Sequence, residues 1–250
     1  MSGARRLGLL GSGEFEPWAE EVDRWLLDGA SDGRVLVAPA ASAAEGEEVF
    51  SRWGRRGVAH YERLGYAAEV LPLKTRDDAA DPRLASRLDE ASMVFFSGGN
   101  PADLAATLAG TFFWDRLLQR LGEGLAFGGC SAGVAFLGEL APDSSIADPP
   151  GGDPWRPGLS AFGGVVLAPH WDTVDAHVPG FRTAVERMVG PGLVLVGVDE
   201  RTALIGDGRT WRVTGEGSVH VRFQDAWTSY PPGRTLPSGV LGLTSAARPA

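Results

Sequence analysis

Apolar residues in this chain gather in short runs that stop abruptly. Residues 7–10 (Leu-Gly-Leu-Leu), 35–38 (Val-Leu-Val-Ala) and 93–96 (Met-Val-Phe-Phe) are apolar throughout and end at Gly11, Pro39 and Ser97. A run without polar alternation, bounded by turn residues, predicts a strand buried on both faces. Residues 68–73, 124–127, 165–167 and 193–198 add further strands. Between them the spacing is helical. Trp18, Val22, Trp25 and Leu26 fit one helix, and residues 45–65 fit an amphipathic helix weakened by Gly54 and Gly57. Residues 82–89 make a short helix; Leu104 and Leu108, then Phe113, Leu117 and Leu121, predict two more. Strands alternating with helices predict an α/β fold, a mostly parallel sheet with helices on both faces.

The end of the chain differs. Segments 202–205, 210–214 and 218–223 are short strands separated by Gly-Asp-Gly and Gly-Glu-Gly, so they predict antiparallel hairpins at a sheet edge. Beyond Tyr230 the chain is rich in Pro, Gly and Ser and reads as a loose tail. The organisation expected is a single α/β domain over 1–230 and a tail over 231–250. Residues 141–161 are dense in Pro, Gly and Asp and predict a long loop placed to cover a site.

The apolar run 124–127 leads into Gly129-Cys130-Ser131-Ala132-Gly133, a G-x-S-x-G sequence followed by an apolar helix start. The physical reading is a nucleophile elbow: glycines permit a tight turn that lifts one hydroxyl above the sheet. Ser131 occupies the tip, and the Ala132 N–H at the helix start points where an oxyanion would form. Close packing also selects small residues at such a turn, so other residues must carry the case. His170 ends another apolar strand, in Leu167-Ala168-Pro169-His170, and would stand at the same carboxyl edge as Ser131. There it could act as general base, unlike His60 on a polar helix, His220 within a hairpin or His177 in a loop. The acid that would orient it is Glu200, after strand 193–198, or Asp143 or Asp148 in the long loop. Phe96-Ser97-Gly98-Gly99-Asn100-Pro101 is a second strand-to-helix turn. Asn100 can cap the helix there, and the Gly99 N–H can serve as a second oxyanion donor.

Composition narrows the partners. The 250 residues are 44% hydrophobic and 22% charged, values of an ordinary soluble globule. A formal charge of -9 without any Lys/Arg run argues against nucleic acid. Cys130 is the only cysteine, which excludes an intramolecular disulfide and a cysteine-based metal cluster. No apolar run approaches the roughly 20 residues of a membrane span, nor a signal-peptide core. A cytoplasmic location away from membranes is therefore expected, as a monomer or homodimer. No cofactor is called for: Gly11-Ser12-Gly13-Glu14 lacks the full dinucleotide-loop spacing, and His170, Asp172 and His177 have no standard metal-ligand spacing.

Four short pieces, in order, resemble the dipeptidase E and cyanophycinase group of serine peptidases. They are Gly98-Gly99-Asn100, Gly129-Cys130-Ser131-Ala132-Gly133, Pro169-His170 and Val198-Asp199-Glu200-Arg201-Thr202-Ala203. The opening Gly11-Ser12-Gly13-Glu14 is similar to the group's first loop. The resemblance implies a flavodoxin-like fold of the class I glutamine amidotransferase type. It implies Ser131 as nucleophile, His170 as base, Glu200 as the orienting carboxylate, and Gly99 and Ala132 as the oxyanion hole. Residues 143–149 are similar to the Asp-containing loop of dipeptidase E, which keeps Asp143 as an alternative for the third position; Asn100 and Asp143 are also expected as substrate contacts. Cyanophycinases carry a glutamine after the glycines and arginines after the histidine. Asn100-Pro101 and Trp171-Asp172-Thr173-Val174-Asp175 stand there instead. The expected substrate is a small peptide or amide rather than an aspartate-rich polymer. Two other readings remain open: a Cys130-dependent amidotransferase-like enzyme, and a member of the fold that only binds.

Overall fold

The computed structural model describes residues 5–28, 33–145, 153–177, 179–190 and 192–243. The first strands are β1 (Leu7–Leu10), β2 (Arg34–Ala38), β3 (Ala68–Val70), β4 (Ala91–Phe96) and β5 (Ala126–Cys130). They pair in parallel in the order β1-β5-β4-β2-β3. The later strands are β6 (Leu140–Pro142), β7 (Trp155–Pro157), β8 (Val165–Ala168), β9 (Val194–Val198), β10 (Thr202–Gly206), β11 (Trp211–Gly215), β12 (Val219–Phe223) and β13 (Ala226–Tyr230). β10 and β11 add to β1 as the antiparallel edge of a seven-stranded sheet. The fold is the expected α/β, flavodoxin-like class.

Helices are α1 (Glu20–Leu27), α2 (Glu47–Arg63), α3 (Arg76–Ala80), α4 (Pro82–Ala85), α5 (Pro101–Leu108), α6 (Phe112–Glu123), α7 (Ala132–Ala135), α8 (Val174–His177) and α9 (Phe181–Met188). Alternate residues of each strand serve opposite faces of the sheet. Leu9, Leu36, Val94 and Phe96 join α5 and α6 in one core, whereas Leu10, Val37, Met93 and Phe95 join α1 and α2 in the other. His60, expected on a polar surface, lies instead on the core side of α2. It meets the buried Asp23 at 2.7 Å, and Tyr61 donates to the same carboxylate at 2.9 Å.

Three expectations need correction. β8 and β9 do not extend the main sheet. They pair in parallel inside a separate four-stranded sheet, β13-β12-β9-β8. The strand at 218–223 leaves β11 and pairs antiparallel with β9, and it forms a hairpin with β13, a strand not among those expected. A fully apolar strand suits any doubly covered sheet, so the pattern does not say which sheet it joins. The long loop at 141–161 begins and ends in the paired strands β6 and β7, and residues 146–152 lie outside the described residues.

The segment after Tyr230 is packed as far as Leu243 rather than loose. Leu236 and Leu241 are buried, the Trp211 indole N–H donates to the Leu241 carbonyl at 2.7 Å, and Leu243 bridges to Phe162. Leu241→Ala is expected to lower the unfolding free energy by about 2–4 kcal/mol, the ordinary cost of emptying a buried leucine site. Urea titration checks this; a loss below about 1 kcal/mol would contradict the packing.

Candidate active site

The elbow is built by close approach. A Cβ on Gly129 would stand 2.1 Å from the Gly133 carbonyl oxygen, and one on Gly133 would stand 2.2 Å from that of Phe96. Only glycine lets the start of α7 pass this close over β5 and β4. Ser131 at the tip has φ 53 and ψ -114, a conformation a non-glycine residue holds only when its surroundings impose it. Its N–H donates to the Leu10 carbonyl at 3.1 Å, and its carbonyl accepts from Val134 and Ala135 to open α7. The hydroxyl is left at the carboxyl edge of the sheet, where ligands of open α/β sheets bind.

His170 follows β8 and also holds a positive φ, of 54. The next residue anchors it: Trp171 is buried against Gly197, and its N–H donates to the Val198 carbonyl at 3.0 Å. Glu200 follows β9, its N–H donating to Asp172 Oδ1 at 2.8 Å. Thr173 Oγ1 donates to Glu200 Oε1 at 3.0 Å. The two loops therefore interlock before the His170 ring is counted. His170 Nδ1 stands 3.1 Å from Glu200 Oε1, and His170 Nε2 stands 2.9 Å from Ser131 Oγ. An ionised carboxylate can only accept, so Nδ1 carries the proton and Nε2 accepts from the hydroxyl. About a third of the His170 and Glu200 side-chain surfaces is exposed (33% and 35%), so both reach solvent.

The remaining candidates sort by what they touch. The Gly98 N–H donates to Glu14 Oε1 at 3.0 Å and the Asn100 N–H to the Ala41 carbonyl at 2.8 Å. The Gly99 amide lies between these two fixed points, and the Ala132 amide lies at the first position of α7. The Asn100 side chain accepts from the Ala102 N–H at 3.0 Å, capping α5, and donates to Asp143 Oδ1 at 2.9 Å. Ser145 also donates to Asp143, and with Asn100 it holds that carboxyl below the usual range. His170 thus meets Glu200, while Asp143 is engaged with Asn100 and Ser145. Asp148 lies outside the described residues. His220 faces Asp199 at 3.1 Å and Ser229 at 2.8 Å. A cavity of about 480 Å³ lined by Trp171, Asp172, Arg182, Asp199, His220 and Trp227 borders the outer side of the His170 loop. Among the described residues no group of three or more His, Cys, Asp or Glu side chains could hold a metal ion, and no helix is long and apolar enough to cross a membrane.

Sequence reasoning passed over the polar side chains that fasten these loops: Ser12, Glu14, Asp172 and Thr173. Their signal is positional. Each lies within a few residues of a strand's carboxyl end, Ser12 and Glu14 after β1 and Asp172 and Thr173 after β8.

A hydroxyl, an imidazole and a carboxylate in series above a flavodoxin-like sheet are the equipment of a serine-type peptidase. Comparison with known proteins gives the family. The profile of peptidase family S51 matches residues 7–214, most of the chain, and the protein belongs to that family of serine-type peptidases. It is 27% identical over 224 residues to a cyanophycinase of Trichormus variabilis, a match spanning 85% of this chain and 72% of that one. A cyanophycinase of Geminocystis herdmanii is 26% identical over 226 residues, spanning 85% and 78%. Among solved structures, a peptidase from an acI-B1 Actinobacterium superposes with a TM-score of 0.80 at 29% identity, covering 94% of this chain and 98% of that chain. A Listeria monocytogenes EGD-e structure of the peptidase E type shares the fold at a TM-score of 0.62 and 16% identity, covering 85% and 99%.

Cys130 does not have the setting of a thiol nucleophile. It is fully buried, and its S–H donates to Glu14 Oε2 at 3.0 Å. Burial, then the Glu14 charge, push the thiol pKa well above its ordinary value, so almost no thiolate forms at neutral pH. Native protein near neutral pH is expected to resist iodoacetamide and to alkylate at Cys130 only once denatured. Mass mapping checks this; rapid alkylation of the native chain with loss of peptidase activity would revive the cysteine reading.

Proposed function

We propose that this chain hydrolyses small peptides, or amides of peptide type, through an acyl-enzyme on Ser131. The observation that carries the reading is the series Ser131 Oγ to His170 Nε2 at 2.9 Å and His170 Nδ1 to Glu200 Oε1 at 3.1 Å. His170 Nε2 takes the hydroxyl proton as Ser131 Oγ bonds to the substrate carbonyl carbon. The carbonyl oxygen becomes an oxyanion facing the Gly99 and Ala132 N–H groups. Imidazolium forms beside the Glu200 carboxylate, which stabilises it and fixes the tautomer. The proton then passes to the leaving nitrogen as the C–N bond breaks. Water, deprotonated by His170, then adds to the acyl carbon; the bond from that carbon to Ser131 Oγ breaks, the acid product leaves, and His170 returns the proton to Oγ. Asn100 and Asp143, hydrogen-bonded to each other beside the Gly98 and Gly99 turn, are the proposed substrate contacts.

Relatives named cyanophycinase raise the question of the polymer. At the place where the resemblance leads one to expect arginines, this chain has Asp172 and Asp175. A carboxylate-bearing polymer gains nothing from that pair, so the proposed substrates are small. The protein is proposed to work without a cofactor.

A fluorophosphonate probe is expected to label the native chain at Ser131, and a dipeptide library to yield cleaved substrates. Ser131→Ala should lower turnover by at least about 10⁴-fold with folding intact. A folded Ser131→Ala variant that kept the parent's activity would sink the assignment. A folded native chain taking no serine-directed probe would instead mark a binding member of the family.

A further inference from the structure

We propose that Glu14 is a positioning residue for the oxyanion pocket, setting the Gly99 and Ala132 amides relative to each other; this rests on the reading of Ser131 as nucleophile. Glu14 follows β1 and is 6% exposed. Both its oxygens are taken by neutral donors, Oε1 by the Gly98 N–H and Oε2 by the Cys130 thiol, each at 3.0 Å. Burying a carboxylate costs free energy that neutral donors only partly return. An apolar side chain would fill the same space without that cost, so packing alone does not account for an acid here.

The two donors explain it. Gly98 precedes Gly99, and Cys130 precedes Ser131 and Ala132. One carboxylate therefore spans both turns that carry the proposed oxyanion donors. It sits close behind them: a Cβ on Gly98 would lie 3.5 Å from Glu14 Oε1 and 3.4 Å from Ser131 Cβ. With its N–H committed to Glu14, Gly98 cannot rotate that amide toward the substrate. On the other side, Gly99 presses on Ala41, where a Cβ would stand 2.3 Å from the Ala41 carbonyl carbon. The Asn100 N–H is bonded to that same carbonyl. The Gly99 amide is thus held from both ends, by Glu14 and by Ala41. Glu14 itself is fixed by its loop, where the Trp18 indole N–H donates to the Gly13 carbonyl at 2.9 Å. Without the Glu14 acceptor, the buried Gly98 N–H would turn to find another partner and carry the Gly99 amide with it.

The test compares two variants of similar volume with the native chain. Glu14→Met removes both acceptor oxygens; Glu14→Gln keeps one for the Gly98 N–H. Native protein must first label at Ser131 with a fluorophosphonate; if it does not, the reading of Ser131 fails rather than this one. Given that, Glu14→Met is expected to slow labelling and kcat by about 10- to 100-fold with KM within about threefold, as for a misplaced transition-state donor. Glu14→Gln is expected to stay within about threefold of native in both rates. A folded Glu14→Met variant that labels at the native rate overturns the proposal. If Glu14→Met does not fold, Glu14→Gln decides: a folded form that loses tenfold or more in labelling overturns it, and native-like labelling upholds it.

Discussion

The hydrogen bond from Ser131 Oγ to His170 Nε2 joins two sheets that share no strand, and the rest of the site depends on their staying in register. Ser131 rises from β5 in the seven-stranded sheet, whereas His170 and Glu200 follow β8 and β9 in the four-stranded one. The chain itself makes the link. Between β9 and β10 it crosses from one sheet to the other through Asp199, Glu200 and Arg201. A slip of one position in the pairing of β9 would turn its side chains to the other face and carry Glu200, just beyond its end, out of line with His170. Arg201 has a φ of 50, which marks how sharply the backbone turns at the crossing.

That crossing is fastened by the loop after β1. The Gly11 N–H donates to the Thr202 carbonyl at 2.8 Å, and Ser12 Oγ accepts from the Arg201 N–H at 3.1 Å. Gly11 has no alternative as a residue: a Cβ there would lie 2.0 Å from the Asp199 carbonyl oxygen. The same loop reaches the opposite wall through Glu14. One stretch of residues 11–14 therefore touches the turns bearing Glu200, Gly99 and Ser131, although none of its side chains belongs to the proposed triad. Burying Ser12 and Glu14 together with strained backbone at Ser131 and His170 costs stability, which the two apolar cores on either side of the main sheet offset.

Much of this was legible in the sequence because of where strands end. Parallel strands buried on both faces leave short apolar runs that end in polar residues; Ser131, His170 and Glu200, the proposed triad, all stand just beyond such runs. Sheet membership was not legible, since residues 165–168 and 194–198 look like any covered strand and their neighbours are chosen by tertiary packing. Glu14 was seen only as part of a glycine loop. Its donors lie 84 and 116 residues further along the chain, beyond any local pattern. The segment after Tyr230 misled for the opposite reason. Its Pro and Gly content hides Leu236 and Leu241, two residues that pack without any helical or strand period around them.

The central proposal is that Ser131, carried with the Gly99 and Ala132 amides by the main sheet, is a nucleophile whose base comes from the second sheet. A crystal structure of the protein with a peptide boronic acid, which forms a tetrahedral adduct on an active serine, tests it directly. The account predicts a bond from Ser131 Oγ to boron, with one boronate oxygen within about 3 Å of the Gly99 and Ala132 nitrogens. An adduct on another residue, or one on Ser131 whose oxygens point away from both amides, would contradict it.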